Sequence, residues 1–352
     1  SVDGKRVIMT ESTSNGVPGT LTPGQTVGKY EIRDLLGAGG QSVVYRAWDS
    51  ALEREVALKQ MTPNLIADPK YADQIRKTIR TIATLGAKNE VVVTIYDLIE
   101  EERGMFYAME YVDGHSLELV LHDNPGPVEV KGVLLILFRL AAALHEIHGA
   151  GIIHRDLKPS NIMLAEGLRP KIIDFGVASI GESDVSMPLV TTKYLAPELY
   201  EGGACDLRAD IYSLGFIIYE MLLGREKFNE IFQDIVRDKH AEALRWMKWH
   251  GNAKVSAPPA HEVVPTVPLA LSHIVQRMIE KDPEQRFAST EELGRTIKRS
   301  FSGKKRGAGA VAPAPAQAQR SAMMARLAAE RGLGRLEDEV DYTPAGVVPA
   351  GA

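Results

Sequence analysis

Residues 154–161, HRDLKPSN, bring a histidine, an arginine, an aspartate, a lysine and an asparagine into one short stretch. Asp156 stands five residues before Asn161, between an apolar helical run and a short strand pattern. That order can set a carboxylate at a nucleophile and an amide oxygen at a metal, with Lys158 neutralising charge that develops on a transferred phosphoryl group. Thirteen residues after Asn161 comes DFG, 174–176, preceded by the apolar run KII. Asp174 offers a second metal ligand, and Gly176 permits an unusual backbone angle. Two hard oxygen ligands with few other protein ligands suit Mg²⁺, which keeps waters and takes phosphate oxygens. Zinc does not fit, because no Cys/His cluster has ligand spacing.

A second group lies upstream. In LGAGGQSVVY, Gly37 and Gly39 fall in a tight strand–turn–strand where missing side chains let backbone N–H groups approach a phosphate. Ser42 stands where a third glycine would complete G-x-G-x-x-G, and such a hairpin alone is more often a plain turn. Lys59, in VALK on the next strand, is placed to reach a phosphate beneath that loop.

These groups need a scaffold, and the pattern of the chain supplies one. From about Tyr30 to Val112, β-like runs (YEIRDLLG, QSVVYRAWD, EVALKQM, VVVTIYDLIEE, GMFYAMEYV) surround one helical segment, Lys70 to Gly86. After Gly114 helical patterns dominate, at 130–149, 208–224, 228–250, 268–281 and 290–301, with short strands near 162–164 and 171–173. Residues 1–27 read as a flexible leader and 302–352 as an Ala/Pro-rich linker tail with a short amphipathic helix at 320–338. The expected fold class is α+β, with a small β-rich first lobe (28–112) and a larger, mostly helical second lobe (113–301).

Composition narrows the function classes. The chain has 352 residues, with 41 Lys plus Arg against 46 Asp plus Glu, a net charge of -5 that gives no footprint for nucleic acid. Cys205 is the only cysteine, which fits a reducing compartment and a cytoplasmic location. The longest apolar run, GVLLILFRLAAAL at 132–144, is broken by Arg139 and is shorter than the roughly 20 residues of a membrane span.

The set GAGGQSVVY, VALK, HRDLKPSN, DFG, APE (196–198) and DIYSLG (210–215) resembles the eukaryotic-type protein kinases, in wording closest to bacterial Ser/Thr kinases, over about residues 28–301. The resemblance implies a two-lobed protein-kinase fold with ATP and Mg²⁺ in the cleft. Under it, Lys59 holds the α/β-phosphates, Asp156 accepts the substrate hydroxyl proton, and Asn161 and Asp174 hold Mg²⁺. Lys158 implies Ser/Thr acceptors. Met109 is the gatekeeper, Glu110 and Val112 offer main-chain hydrogen bonds to adenine, and Val44, Ala57 and Met163 close on its faces. Thr191 steadies Asp156, Glu198 pairs with Arg286, and Asp210 anchors the catalytic-loop backbone. Arg155 is positioned to receive an activation-segment phosphate, and Ser183 and Ser186 are the expected autophosphorylation sites.

Two departures from the family pattern stand out. The first-lobe helix, KYADQIRKTIRTIATLG, has Thr78 where the family carries the Glu that pairs with Lys59. This leaves open a pseudokinase or low-activity scaffold beside an active Ser/Thr kinase; a small-molecule phosphotransferase is disfavoured by the APE segment. The second departure is 225–265, where Phe232, Ile235, Val236, Leu244, Met247 and Trp249 form an apolar stripe. It reads either as a helix packed on the second lobe or as a docking partner's surface anchored by Trp246 or Trp249. His240, His250 and His261 show no ligand spacing and read as surface residues.

Overall fold

Runs rich in Val, Ile and Tyr pair as strands in the first part of the chain, because β-branched and aromatic side chains pack well on a pleated surface. In the computed structural model, which describes residues 20–39, 42–175, 192–200 and 205–301, they form β1 (Thr26–Val27), β2 (Tyr30–Ala38), β3 (Ser42–Asp49), β4 (Arg54–Met61), β5 (Ile95–Glu101) and β6 (Gly104–Glu110). Their order in the antiparallel sheet is β1-β2-β3-β4-β6-β5. The expected leader before Thr20, the tail after Phe301, Gly176, Thr191 and the candidate acceptors Ser179, Ser183 and Ser186 lie outside the described residues.

Two helices join this lobe, α1 (Pro63–Ile66) and α2 (Pro69–Gly86). The Asp68 side chain accepts from the Lys70 N–H and Pro69 opens the first turn, both ordinary helix starts. One face of α2, with Ala72, Ile75, Ile79 and Ile82, packs on Ala57, Met61, Met105, Tyr107 and Met109 of the sheet. The opposite sheet face carries its own small core: Tyr45, Ala47, Val56, Leu58, Phe106 and Ala108 are covered by Leu21, Val27, Tyr30 and Ile32. Order therefore begins before Tyr30, and Leu21 and Val27, assigned by the sequence to a flexible leader, are buried. The Leu21 N–H donates to the Tyr45 hydroxyl at 3.0 Å, and the Gly24 N–H to the Ile32 carbonyl at 2.9 Å.

The second lobe is helical: α3 (Leu117–Asp123), α4 (Val130–Gly149), α5 (Arg208–Ile231), α6 (Gln233–Val236), α7 (Glu242–His250), α8 (Ala260–Val263), α9 (Leu269–Met278) and α10 (Thr290–Phe301). A three-stranded sheet, β7 (Gly114–Ser116), β8 (Ile162–Ala165) and β9 (Arg169–Ile172), lies at the cleft side. The apolar run at 132–144 is buried within α4, as its length implied. Helix α5 breaks at Gly224, whose φ of 73° suits glycine and whose missing Cβ makes room for the Gly126–Pro127 backbone.

The single helix expected over 228–250 is instead three pieces: the end of α5, then α6 and α7. The chain bends because its aromatic residues converge on Phe216, with Phe228, Phe232, Trp246, Trp249 and His250 rings all within 6.0 Å of it, centroid to centroid. Trp246 is fully buried and does not serve as an exposed anchor. His250 is buried too, contrary to the surface reading, while His240 is exposed and His261 half-buried.

Candidate active site

The turn between α4 and β8 carries HRDLKPSN, and its conformation is set from below by Asp210 at the start of α5. Asp210 Oδ2 accepts from the His154 backbone N–H at 2.8 Å, and Oδ1 from the Arg155 N–H at 2.9 Å. The His148 ring adds a third contact at 2.7 Å. Arg155 has a φ of 62°, a left-handed conformation that costs a non-glycine residue about 1 kcal/mol or more. The paired backbone bonds to a buried carboxylate offset that cost and turn Asp156 toward the cleft.

Two predicted site residues, Lys158 and Asn161, converge on Asp156. Lys158 Nζ lies 2.8 Å from Asp156 Oδ2. The Asn161 amide donates to the Asp156 carbonyl at 2.8 Å and to its Oδ2 at 3.2 Å. With both N–H bonds spent on Asp156, the amide oxygen is the Asn161 atom left for a cation. The Ile173 N–H donates to the Asn161 carbonyl at 3.0 Å, so the strand that delivers Asp174 is tied directly to this loop.

Asp174 meets the first lobe through Lys59, with Nζ 2.5 Å from Oδ1. Lys59 is nearly fully buried. Burial pulls its pKa down, but the Asp174 carboxylate and then Tyr107 outweigh it, leaving the ammonium more firmly protonated than usual. Strand β9 is held at this height by first-lobe backbone: the Val93 N–H donates to the Ile172 carbonyl, and the Ile172 N–H to the Val91 carbonyl. Phe175 is buried with its ring centroid 5.1 Å from that of His154.

Strand register explains the cleft roof. Val44 is opposite Lys59 and Lys59 opposite Tyr107; Ala57 is opposite Met109 two residues along. Residues directly opposite or two apart share a face, so Val44, Ala57, Lys59, Tyr107 and Met109 all line one side of the sheet. Gly37 pairs with Val44 beyond a register shift, and the Gly39 N–H closes on the Ser42 carbonyl at 2.9 Å, forming the hairpin above them. Met163, buried on β8, and Val112, half-buried between β6 and β7, lie on the second-lobe side of the hinge. The Glu110 side chain does something the motifs did not announce: its Oε2 sits 2.7 Å from Lys171 Nζ, linking the end of β6 to β9.

Below the cleft, Arg286 and Glu198 form a bidentate pair, as the family resemblance implied. The segment preceding Glu198 rests on α7. The Thr192 hydroxyl donates to the Ala243 carbonyl at 2.9 Å, and His250 Nε2 bonds the Lys193 carbonyl at 3.0 Å. Lys193 also pairs with the buried Glu220 at 2.7 Å. Sequence reasoning missed His250 as a support because its partners are far off in the chain.

The donor set fits Mg²⁺: one amide oxygen and one carboxylate, both hard, on two segments tied to each other by backbone. Among the described residues no cluster of three or more His, Cys, Asp or Glu suits a metal.

Residues 30–296 match the protein kinase domain. The chain is 32% identical over 278 residues to the serine/threonine-protein kinase PrkC of Bacillus subtilis, covering 78% of this chain and 41% of that protein. It is 31% identical over 335 residues to the serine/threonine-protein kinase PknB of Mycolicibacterium smegmatis, covering 92% of this chain and 51% of that protein. The chain thus matches about half or less of the length of these relatives. Among solved structures, the Mycobacterium tuberculosis PknI kinase domain aligns with a TM-score of 0.59 at 25% identity, over 80% of this chain and 99% of that one. Motifs, two-lobed fold and relatives agree, and the chain belongs to the protein kinase family.

Proposed function

We propose that this chain transfers the γ-phosphoryl group of ATP to Ser and Thr hydroxyls of proteins, including those of its own activation segment. The observation that carries the reading is the convergence of Asp156, Lys158 and Asn161 on the second-lobe side of the cleft, with Asp174 tied to them and paired across the cleft with Lys59 of the first lobe. The family uses ATP and typically Mg²⁺. Asp156 accepts the proton of the attacking hydroxyl, and Lys158 offsets charge growing on the phosphoryl oxygens. Lys59 binds the α/β-phosphates beneath the Gly37–Gly39 hairpin. Asn161 and Asp174 hold Mg²⁺, which supplies charge neutralisation on the phosphates. Val44, Ala57, Met109 and Met163 enclose the adenine, and Glu110 and Val112 offer it main-chain groups. Thr191, adjacent to the described Thr192, steadies Asp156, and Ser183 and Ser186 are the expected autophosphorylation sites.

The scaffold alternative rests on one observation, a first-lobe helix without a glutamate. The retained base, lysine and metal ligands favour the enzyme, since a scaffold has no chemical use for them together. The partners are Ser/Thr-containing proteins, and the single cysteine fits action in the cytoplasm. No helix among the described residues is long and apolar enough to cross a membrane. The test is incubation with Mg²⁺-ATP, followed by intact mass and peptide mapping, with Asp156→Asn as the control. Phosphate on the wild type alone, mapping within 176–192, is the expected result; none on a wild type that still binds ATP would favour the scaffold.

A further inference from the structure

Two ion pairs tie the segment 171–174 to the first lobe. At one end Asp174 meets Lys59 of β4; at the other, Lys171 Nζ lies 2.7 Å from Glu110 Oε2 at the end of β6. The Glu110–Lys171 pair is largely sheltered, with the lysine side chain 13% and the glutamate 28% exposed, so its charges are screened less than those of a surface pair. Both partners stand on fixed backbone. Glu110 is opposite Val56 in the β4–β6 ladder, and its N–H donates to the Thr94 carbonyl at 2.8 Å. Lys171 is opposite Met163 in the β8–β9 ladder. The two residues between Lys171 and Asp174 are fastened as well: Ile172 bonds Val91 and Val93, and the Ile173 N–H donates to the Asn161 carbonyl. The position of Lys171 is therefore passed along the backbone to Asp174.

We propose that Lys171 is a positioning residue for the metal site: its pair with Glu110 sets the height of β9 against the first lobe and so aims Asp174 at Mg²⁺. The inference rests on the kinase reading, in which Lys59 turns to the phosphates and Asp174 to the cation. Their mutual pair is then given up, and Glu110–Lys171 is the ion pair that still holds this segment to the first lobe. It acts on Asp174 through the backbone, so it leaves the carboxylate oxygens free. Glu110 thereby joins two sites, offering its main chain to adenine under the same reading and its side chain to the strand that carries Asp174.

The test is ADP binding by the full chain, measured with Mg²⁺ and again in excess chelator; the ratio of the two affinities reads the contribution of the metal without turnover. Lys171→Met is expected to cut that ratio about tenfold, the lower end for groups that orient a metal ligand, with a smaller change in chelator alone. Glu110→Gln keeps the main chain and the side-chain size and should act in the same direction. Lys171→Arg keeps the charge and should retain the ratio; a loss equal to that of Lys171→Met would overturn the proposal. A purely structural pair would lower the melting temperature of Lys171→Met and Glu110→Gln and leave their ratios at the wild-type value, which overturns the proposal and leaves the kinase reading intact. A wild type whose ADP affinity does not respond to Mg²⁺ overturns both the proposal and the metal-site reading beneath it.

Discussion

Arg286 and Glu198 share two parallel hydrogen bonds of 2.7 and 2.8 Å, with the arginine side chain wholly buried and the glutamate nearly so. The remaining N–H groups of Arg286 are also spent. Its Nε donates to the Glu280 carbonyl, Nη1 to that of Arg208 and Nη2 to that of Lys281. All five guanidinium donors therefore have acceptors, the condition under which a buried ion pair holds its place. One side chain ties the segment at Ala196–Glu198, the start of α5 and the loop after α9 into a single unit. Arg286→Met would strand the Glu198 carboxylate in that site. The expected loss is about 3–5 kcal/mol, seen as a lowered melting temperature; a melt matching wild type would contradict the clasp.

Gly215, at the end of DIYSLG, marks the close approach of α5 to α9. A Cβ placed there would lie 2.6 Å from Met278 Cβ and 2.8 Å from Ile279 Cγ2. The nearest of these is fixed to the backbone, so the helices must separate. Gly215→Ala should cost about 1–3 kcal/mol in denaturant melts, despite alanine's better helix propensity. A stabilised variant would mean that the crossing relaxes freely.

How much of this was legible beforehand depended on how local each feature is. HRDLKPSN and DFG are contiguous, so the loop that presents Asp156, Lys158 and Asn161 and the strand that presents Asp174 were readable from their own residues. Helix α4 was equally plain, because its apolar run at 132–144 is contiguous, broken only by Arg139. What escaped were pairings made across the chain. Leu21 and Val27 sit among Gly, Pro and Thr with no period, and their burial depends on Tyr45 and the far face of the sheet. Tyr107 could be matched to Lys59 only once the β4–β6 register was known. The apolar stripe within 225–265 was visible, but the folding of its aromatic residues around Phe216 follows from a residue on α5 that no periodicity within the stripe contains.

His250 gives the protein a predictable acid sensitivity. Its Nε2 contacts the Lys193 carbonyl, an acceptor only, and its Nδ1 lies 2.6 Å from the Tyr212 hydroxyl. Nε2 therefore carries the proton, Nδ1 accepts from Tyr212, and the ring is neutral. Burial first, then the charge of Lys281, draws its pKa from 6.5 down to about 3. Burial lowers His154 as well. An unfolded histidine takes up its proton near pH 6.5, whereas folded His250 resists until about 3, so protons bind preferentially to the unfolded chain between those values. Stability is fully present above that window and declines as pH falls through it. Melting temperature should drop from pH about 7.5 to about 5, with a shallower drop in His250→Gln. Parallel pH dependences for the two proteins would remove His250 as the cause.

The segment 225–265 can be divided between packing and surface by two substitutions on α7. Trp246 is buried against Phe228 and Phe232, with ring centroids 6.0 and 5.0 Å away, and its indole N–H donates to Glu242. Leu244, two residues earlier, is 59% exposed. Trp246→Ala should cost about 3–5 kcal/mol as a core truncation. Because α7 also supports Thr192 and Lys193, phosphorylation of protein substrates should fall with it. Leu244→Ser touches none of these contacts, so both the melting temperature and protein-substrate kinetics should stay at wild-type values. A Leu244→Ser protein that melts normally but shows a raised KM for a protein substrate, with the KM for ATP unchanged, would show that α7 also presents a docking surface.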